Sequence, residues 1–143
     1  MKKFLFIICA ALLMTSCGES SVAQEAKTLN TIEISINGKI FNAELEENPS
    51  ARAFAEMLPL EIEMAELNGN EKYFYLDKNL PSNSERIGKI HKGDLMLFSS
   101  NCVVIFYKDF STSYSYTRLG KIEDAADLDK ILGAGNISVK FKK

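Results

Sequence analysis

The chain has 143 residues, with 17 Lys and Arg against 19 Asp and Glu, one histidine and three cysteines, and a formal charge of −2. The length suits one ordinary domain, and the acidic balance disfavours phosphate backbones, so a nucleic-acid partner is not expected. With a single histidine, no Ser-His-Asp triad or histidine metal cluster can be built without His91.

The first element is an address. Lys2 and Lys3 precede an unbroken apolar run over residues 4–14, and Thr15-Ser16 lead to Cys17. A basic start, a short apolar stretch and small residues before a cysteine predict a bacterial lipoprotein signal peptide over residues 1–16, cleaved ahead of a lipidated Cys17. As a helix the eleven apolar residues rise only about 16 Å, against a hydrocarbon core of roughly 30 Å, which is too short to span. A plain secretory signal is the alternative, since Met14 stands where leucine is the commoner lipobox residue. The expected location is the cell envelope, with the chain tethered by lipid to a bacterial membrane on its periplasmic or surface side.

Loss of the signal leaves 15 basic and 19 acidic residues, a formal charge of −4. It also removes Cys9, and with Cys17 lipidated only Cys102 remains, so no intramolecular disulfide is expected. Residues 17–28, small and polar after the cysteine, read as a flexible tether, and residues 29–143 as one domain with one core.

That domain opens with Ile32, Ile34 and Ile36 alternating with polar residues before Asn37-Gly38, the dipeptide favoured by two-residue hairpin turns. Asn48-Pro49 then predicts a short helix with Ala51, Phe54, Ala55 and Leu58 on one stripe, Arg52 and Glu56 facing out, and Pro59 as its stop. Leu60, Ile62 and Met64 alternate with Glu61 and Glu63 in a third strand, which turns at Asn68-Gly69-Asn70 into KYFYL. Residues 77–92 form the longest polar stretch. Strands follow at LMLF, at the continuous apolar run CVVIFY and at the alternating YSYTRLGKI. Asp124 is the expected cap of a second helix with Ala125, Leu128, Ile131 and Leu132 as its stripe and Gly133 as its end, and Ile137, Val139 and Phe141 mark a last strand. Eight short antiparallel strands commonly close into a barrel, and two short helices can cap its ends.

This order of elements resembles the cyclophilin fold. The phrases INGKIFNAELEENPSARAFAEMLPL, ELNGNEKYFYL, LPSN, GDLMLFSSNCVVIFYKDFSTSYSYTRLGKI and LGAGN more closely resemble the bacterial cyclophilin-like domain family, from about residue 32 to residue 141. The resemblance implies a mainly β fold: a closed or nearly closed eight-stranded antiparallel barrel with two short capping helices. Cyclophilins that isomerise X-Pro bonds use an arginine on the third strand and a Phe-Met-x-Gln cluster after it. Neither LEIEMAEL nor KYFYL holds an arginine, no such cluster follows, and the chain has no tryptophan, so those roles transfer to no position here.

The candidate residues therefore come from the strands themselves. Tyr114, Tyr116 and Arg118 alternate and should share one strand face, where the arginine would meet a carboxylate or peptide carbonyl and the tyrosines would supply area and hydroxyls; a plain solvated strand face is the other reading. Together with Tyr73, Tyr75 and Phe106 they are the expected lining of a ligand groove roofed by residues 77–92. Cys102 reads as a buried inert thiol, His91 as an exposed loop residue, and Glu61 with Glu63 as a solvated strand face. No catalytic residue, metal or cofactor is expected. The sequence thus points to a membrane-anchored module binding a peptide or small molecule. A divergent peptidyl-prolyl isomerase acting on exported proteins is the alternative, and an interaction role in an envelope complex a third.

Overall fold

Isoleucine at every second position places one row of side chains on one face, and the two-residue turn folds that row inward. β1 (Thr31–Ile36) and β2 (Lys39–Leu45) pair in register, Ile36 opposite Lys39, across Asn37 and Gly38 with φ of 49° and 78°. The computed structural model describes residues 30–143. The expected signal peptide, Cys17 and the tether lie outside those residues.

After β2 the Asn48 side chain accepts the Ala51 N–H at 2.8 Å and starts α1 (Pro49–Glu56). Phe54 of α1 is buried against Phe141, ring centroids 5.4 Å apart and nearly perpendicular. β3 (Leu60–Leu67) and β4 (Glu71–Tyr75) follow, then the two-residue strands β5 (Glu85–Arg86) and β6 (Lys89–Ile90), then β7 (Asp94–Phe98) and β8 (Cys102–Phe106). β9 (Phe110–Ser111), β10 (Ser115–Ile122), a 3-10 turn (Ala125–Asp127), α2 (Leu128–Leu132) and β11 (Ile137–Lys142) complete the order.

The strands run β2-β1-β11-β3-β4-β8-β7-β10, and β10 pairs back to β2, so eight antiparallel strands close a barrel with no free edge. The expected architecture holds. The closing seam brings Gly120 so near to β2 that a Cβ there would lie 2.4 Å from the Glu44 carbonyl oxygen, just where β10 bulges between Arg118 and Gly120.

Ile34, Ile36, Phe54, Met64, Leu97, Ile105, Val139 and Phe141 fill the interior. A second cluster, Ile90, Met96, Cys102, Val104, Phe106 and Tyr116, lies outside the barrel wall near the β6–β9 ribbon. β8 contributes to both clusters, alternating Val103 and Ile105 inward with Cys102, Val104 and Phe106 outward, which is why its sequence is apolar without interruption.

The second helix departs from expectation. Asp124 has a φ of 51° and its side chain caps nothing, so the segment begins as a 3-10 turn and only five residues are α-helical. Leu128 and Leu132 bury the stripe, and the carbonyls after its end are met by a buried lysine: Lys72 Nζ donates to the Gly133 and Gly135 oxygens at 2.9 and 2.6 Å. The three two-residue strands were not expected from the sequence either. β5 pairs with β10, and β6 with β9, which lends order to the polar stretch.

Candidate functional site

On the outer face of the barrel, alternation in β4 projects Glu71, Tyr73 and Tyr75 to one side while Lys72 points inward. Tyr73 stands opposite Val104 of β8 and Tyr75 opposite Cys102, which in turn faces Phe98 of β7. Tyr116 of β10 closes this row, and residues 110–114 fold over it. The result is a groove of about 500 Å³, bounded below by the turn Leu67, Asn68 and Asn70. Its volume lies in the range of small-ligand sites.

The rings meet edge to face in two pairs, Tyr73–Tyr75 and Phe98–Tyr114, and at a tilt in Phe98–Tyr116. Tyr73 and Tyr75 have centroids 5.8 Å apart, and Phe98 reaches Tyr114 at 6.1 Å and Tyr116 at 5.6 Å. Tyr75 and Tyr114 are more than half exposed, 58% and 64%, so both side chains are within reach of a ligand.

Of the sequence candidates, Tyr73, Tyr75, Tyr114 and Tyr116 line this groove together. Phe106 does not: it is fully buried beneath, its ring 5.4 Å from Tyr116 and 5.6 Å from Phe110, and it shapes the floor without meeting the opening. Arg118 is not in the lining either. Its side chain is on the outer face, since Arg118 pairs with Met96, but Nε bonds Glu85 of β5 at 3.2 Å, in a separate depression with Asn48, Pro81 and Thr117. Residues 77–92 do not roof the groove. Leu80 is buried in the barrel core and Asn83 N–H donates to Thr117 Oγ1 at 3.0 Å, which holds that stretch on the other side of β10, and Phe110 to Tyr114 form the cover instead.

Sequence reasoning missed Asn70, Glu71, Phe98, Phe110 and Thr112 as lining residues. For Glu71 the signal was present: it precedes Tyr73 and Tyr75 by steps of two in one strand, and so shares their face. Phe98 follows the same rule from its partner Cys102.

The electrostatics centre on Glu71. Burial raises its carboxyl above the usual carboxylate value, and the charge of Glu66 adds to the rise. Among the described residues that carboxylate accepts no hydrogen bond and meets no cation. Burial, then the Glu71 charge, pushes the Cys102 thiol up to about 11 and raises the Tyr116 hydroxyl. Cys102 is therefore a neutral thiol at ordinary pH and a poor nucleophile. Asn70 Oδ1, also in the lining, is shielded from solvent without a hydrogen-bond partner among the described residues. His91 lies elsewhere, its side chain half exposed and its N–H donating to Asp94 Oδ2 at 2.8 Å. Glu61 and Glu63 are exposed on β3, opposite Lys140 and Ser138.

On the inner side of β4, Lys72 is wholly buried. Its ammonium meets Glu66 Oε2 at 2.5 Å, the two carbonyls after α2, and the Tyr107 ring at 5.6 Å from the centroid. Tyr107 also donates its hydroxyl to Glu66. Every donor of this lysine is used, so the cluster holds the barrel end together.

With this barrel in hand, residues 34–142 match the model of the cyclophilin-like family. The chain belongs to that family. It is also similar to a hypothetical protein from Archaeoglobus fulgidus known from a solution structure, with a TM-score of 0.54 over 78% of this chain and 92% of that one. At 19% identity the likeness is one of fold. No curated protein matches the sequence. Within this cyclophilin-like barrel the outer groove is walled by rings and by one carboxylate, and no lysine, arginine or histidine is among its lining residues.

Proposed function

We propose that this cyclophilin-like chain is a lipid-anchored binding module of the bacterial cell envelope, which holds a peptide or small molecule in its outer groove and carries out no reaction on it. The observation that carries the reading is the groove of about 500 Å³ bearing four tyrosines, two of them more than half exposed. Tyrosine gives contact area and a polar tip at low entropy cost, so a row of partly open rings suits recognition. The anchor rests on the signal and Cys17, which would hold the groove at a membrane surface.

Binding is favoured over isomerisation because a prolyl isomerase must lower a barrier of about 20 kcal/mol by donating toward the prolyl nitrogen. No arginine lines the groove, and Arg118 is engaged by Glu85.

A thermal-shift screen over proline peptides, amines, acids and neutral amides tests the reading, since a ligand at a hundred times its dissociation constant adds about 2.7 kcal/mol. Stabilisation lost in Tyr114→Ala is the expected result. X-Pro isomerisation above background that falls in the same variant would replace binding by catalysis. A radiolabelled fatty acid incorporated into the native chain but not into Cys17→Ser tests the anchor.

A further inference from the structure

Glu71, Asn70 and the tyrosines together define what the groove would hold, and the inference rests on the binding-module reading above. We propose that the ligand carries an organic cation, a primary ammonium or guanidinium on an apolar stem, seated with its charge beside Glu71 and its stem against the rings.

Three observations converge. The first is sign: the lining contains one carboxylate and no lysine, arginine or histidine. The rings of Tyr73, Tyr75 and Tyr114 in the lining carry quadrupoles whose negative faces attract cations. The second is unmet capacity. Glu71 is a half-buried carboxylate of the groove with no donor or cation among the described residues, and the neighbouring Asn70 carries a shielded oxygen that is also without a donor. A half-buried carboxylate without a donor is best matched by a ligand rich in donors. An ammonium or guanidinium brings several donors and no acceptor.

The third is a precedent inside the same molecule. On the opposite side of β4, Lys72 is accommodated by a carboxylate, two carbonyl oxygens and a tyrosine ring. The groove offers two of those kinds of group, a carboxylate in Glu71 and aromatic rings in the tyrosines. Leu67, Phe98 and Val104 supply apolar surface for a stem.

Such a cation could arrive as a free alkylamine or as the lysine or arginine side chain of a peptide. Calorimetric titration of the full chain distinguishes them with two matched pairs: pentylamine against pentanol, and N-acetyl-lysine methylamide against N-acetyl-norleucine methylamide. In at least one pair the cation should bind more tightly than its neutral partner by about tenfold or more. The pair with the tighter cation names the source. Glu71→Gln should remove that preference while leaving the neutral compounds unchanged, with circular dichroism confirming an intact fold. Tyr114→Ala, at an exposed position outside the core, should weaken the cation alone or more than its neutral partner.

Neutral compounds binding as tightly as the cations, or a preference that survives Glu71→Gln, would overturn the proposal. If neutral or anionic compounds bind in the groove and neither cation exceeds them, this inference fails and the binding module stands. If no compound of any charge binds, both fail.

Discussion

Lys72 and Glu66 stand directly opposite each other across the β3–β4 ladder, Nζ 2.5 Å from Oε2, with the lysine side chain completely excluded from solvent. The ammonium also closes the two carbonyls after α2, so one side chain joins the sheet to the helical cap of the barrel end. Lys72→Met removes the charge but keeps the stem. It leaves two carbonyls without their donor and Glu66 without its cation, although Glu66 is 23% exposed and retains Tyr107. The expected loss is about 3 kcal/mol, toward the lower end for breaking a buried pair, because the stranded carboxylate can reach water. Urea unfolding of the variant against the native chain measures it, and a midpoint unchanged from native would mean that the cluster contributes nothing.

Glu66, opposite Lys72 across the ladder, and Glu71, beside it in β4, have opposite linkage to pH. Burial alone would raise the Glu66 carboxyl, but hydrogen bonds from Lys72 and Tyr107 and the lysine charge outweigh it, so its folded value lies below the ordinary 4.5. Its stabilising contribution is present above 4.5 and lost as pH falls through the folded value. Glu71 is raised, so folding favours its protonated form: that contribution is present below 4.5 and lost as pH rises through the folded value. Glu71→Gln should accordingly raise the urea midpoint at neutral pH and change it less in acid, whereas Glu66→Gln should lower the midpoint at neutral pH and flatten the acid limb. A carboxylate that weakens the fold while facing a groove is what a site retained for binding would show.

Arg118 shares the outer face of β10 with Tyr116 but is committed elsewhere. Its ion pair with Glu85 joins groups 44% and 62% exposed, a pairing worth about 0.5 kcal/mol or less once solvent screening is counted. Arg118→Ala should therefore leave the unfolding midpoint within about 0.5 kcal/mol of native. Any ligand found by the screen should bind the variant with native affinity. A large loss of affinity would return the arginine to the site.

Local periodicity carried much of this structure. The Asn37-Gly38 turn, the Asn48 cap, the isoleucine row of β1 and the doubly buried run of β8 are each decided by neighbouring residues, and each was readable before any fold was considered. The groove was readable by half, because strand alternation says which residues share a face but not which neighbours reach along it. Arg118 is drawn away from the tyrosines by Glu85 of β5, whose pairing with β10 is a long-range feature. The cover over the groove was misplaced because Leu80 looks like an isolated apolar residue in a polar loop, and only the closed barrel offers the interior position that captures it. Asp124 failed as a cap because its backbone adopts a left-handed conformation that turns the chain from β10 toward α2.

The barrel seam gives the sharpest structural test. β2 and β10 meet over only three register pairs, Gly120 with Leu45, Lys121 with Glu44 and Ile122 with Ala43, and this pairing is what turns an open sheet into a closed one. At Gly120 a Cβ would fall 2.4 Å from the Glu44 carbonyl oxygen and 3.1 Å from the Leu45 Cα, both backbone atoms that cannot rotate aside. Gly120→Ala must push the two strands apart, and overpacking of this kind costs about 1–3 kcal/mol. Because the strain is confined to one seam, the damage should be local first: amide exchange should accelerate at the β2 and β10 residues facing each other while β4 and β8 keep their protection. Most of the groove is on β4, β8 and residues 110–114, and its β10 residue Tyr116 lies before the seam at Gly120–Ile122, so ligand binding should survive the substitution under conditions where the fold remains populated. Uniform acceleration of exchange around the whole barrel would show that closure and core form a single cooperative unit.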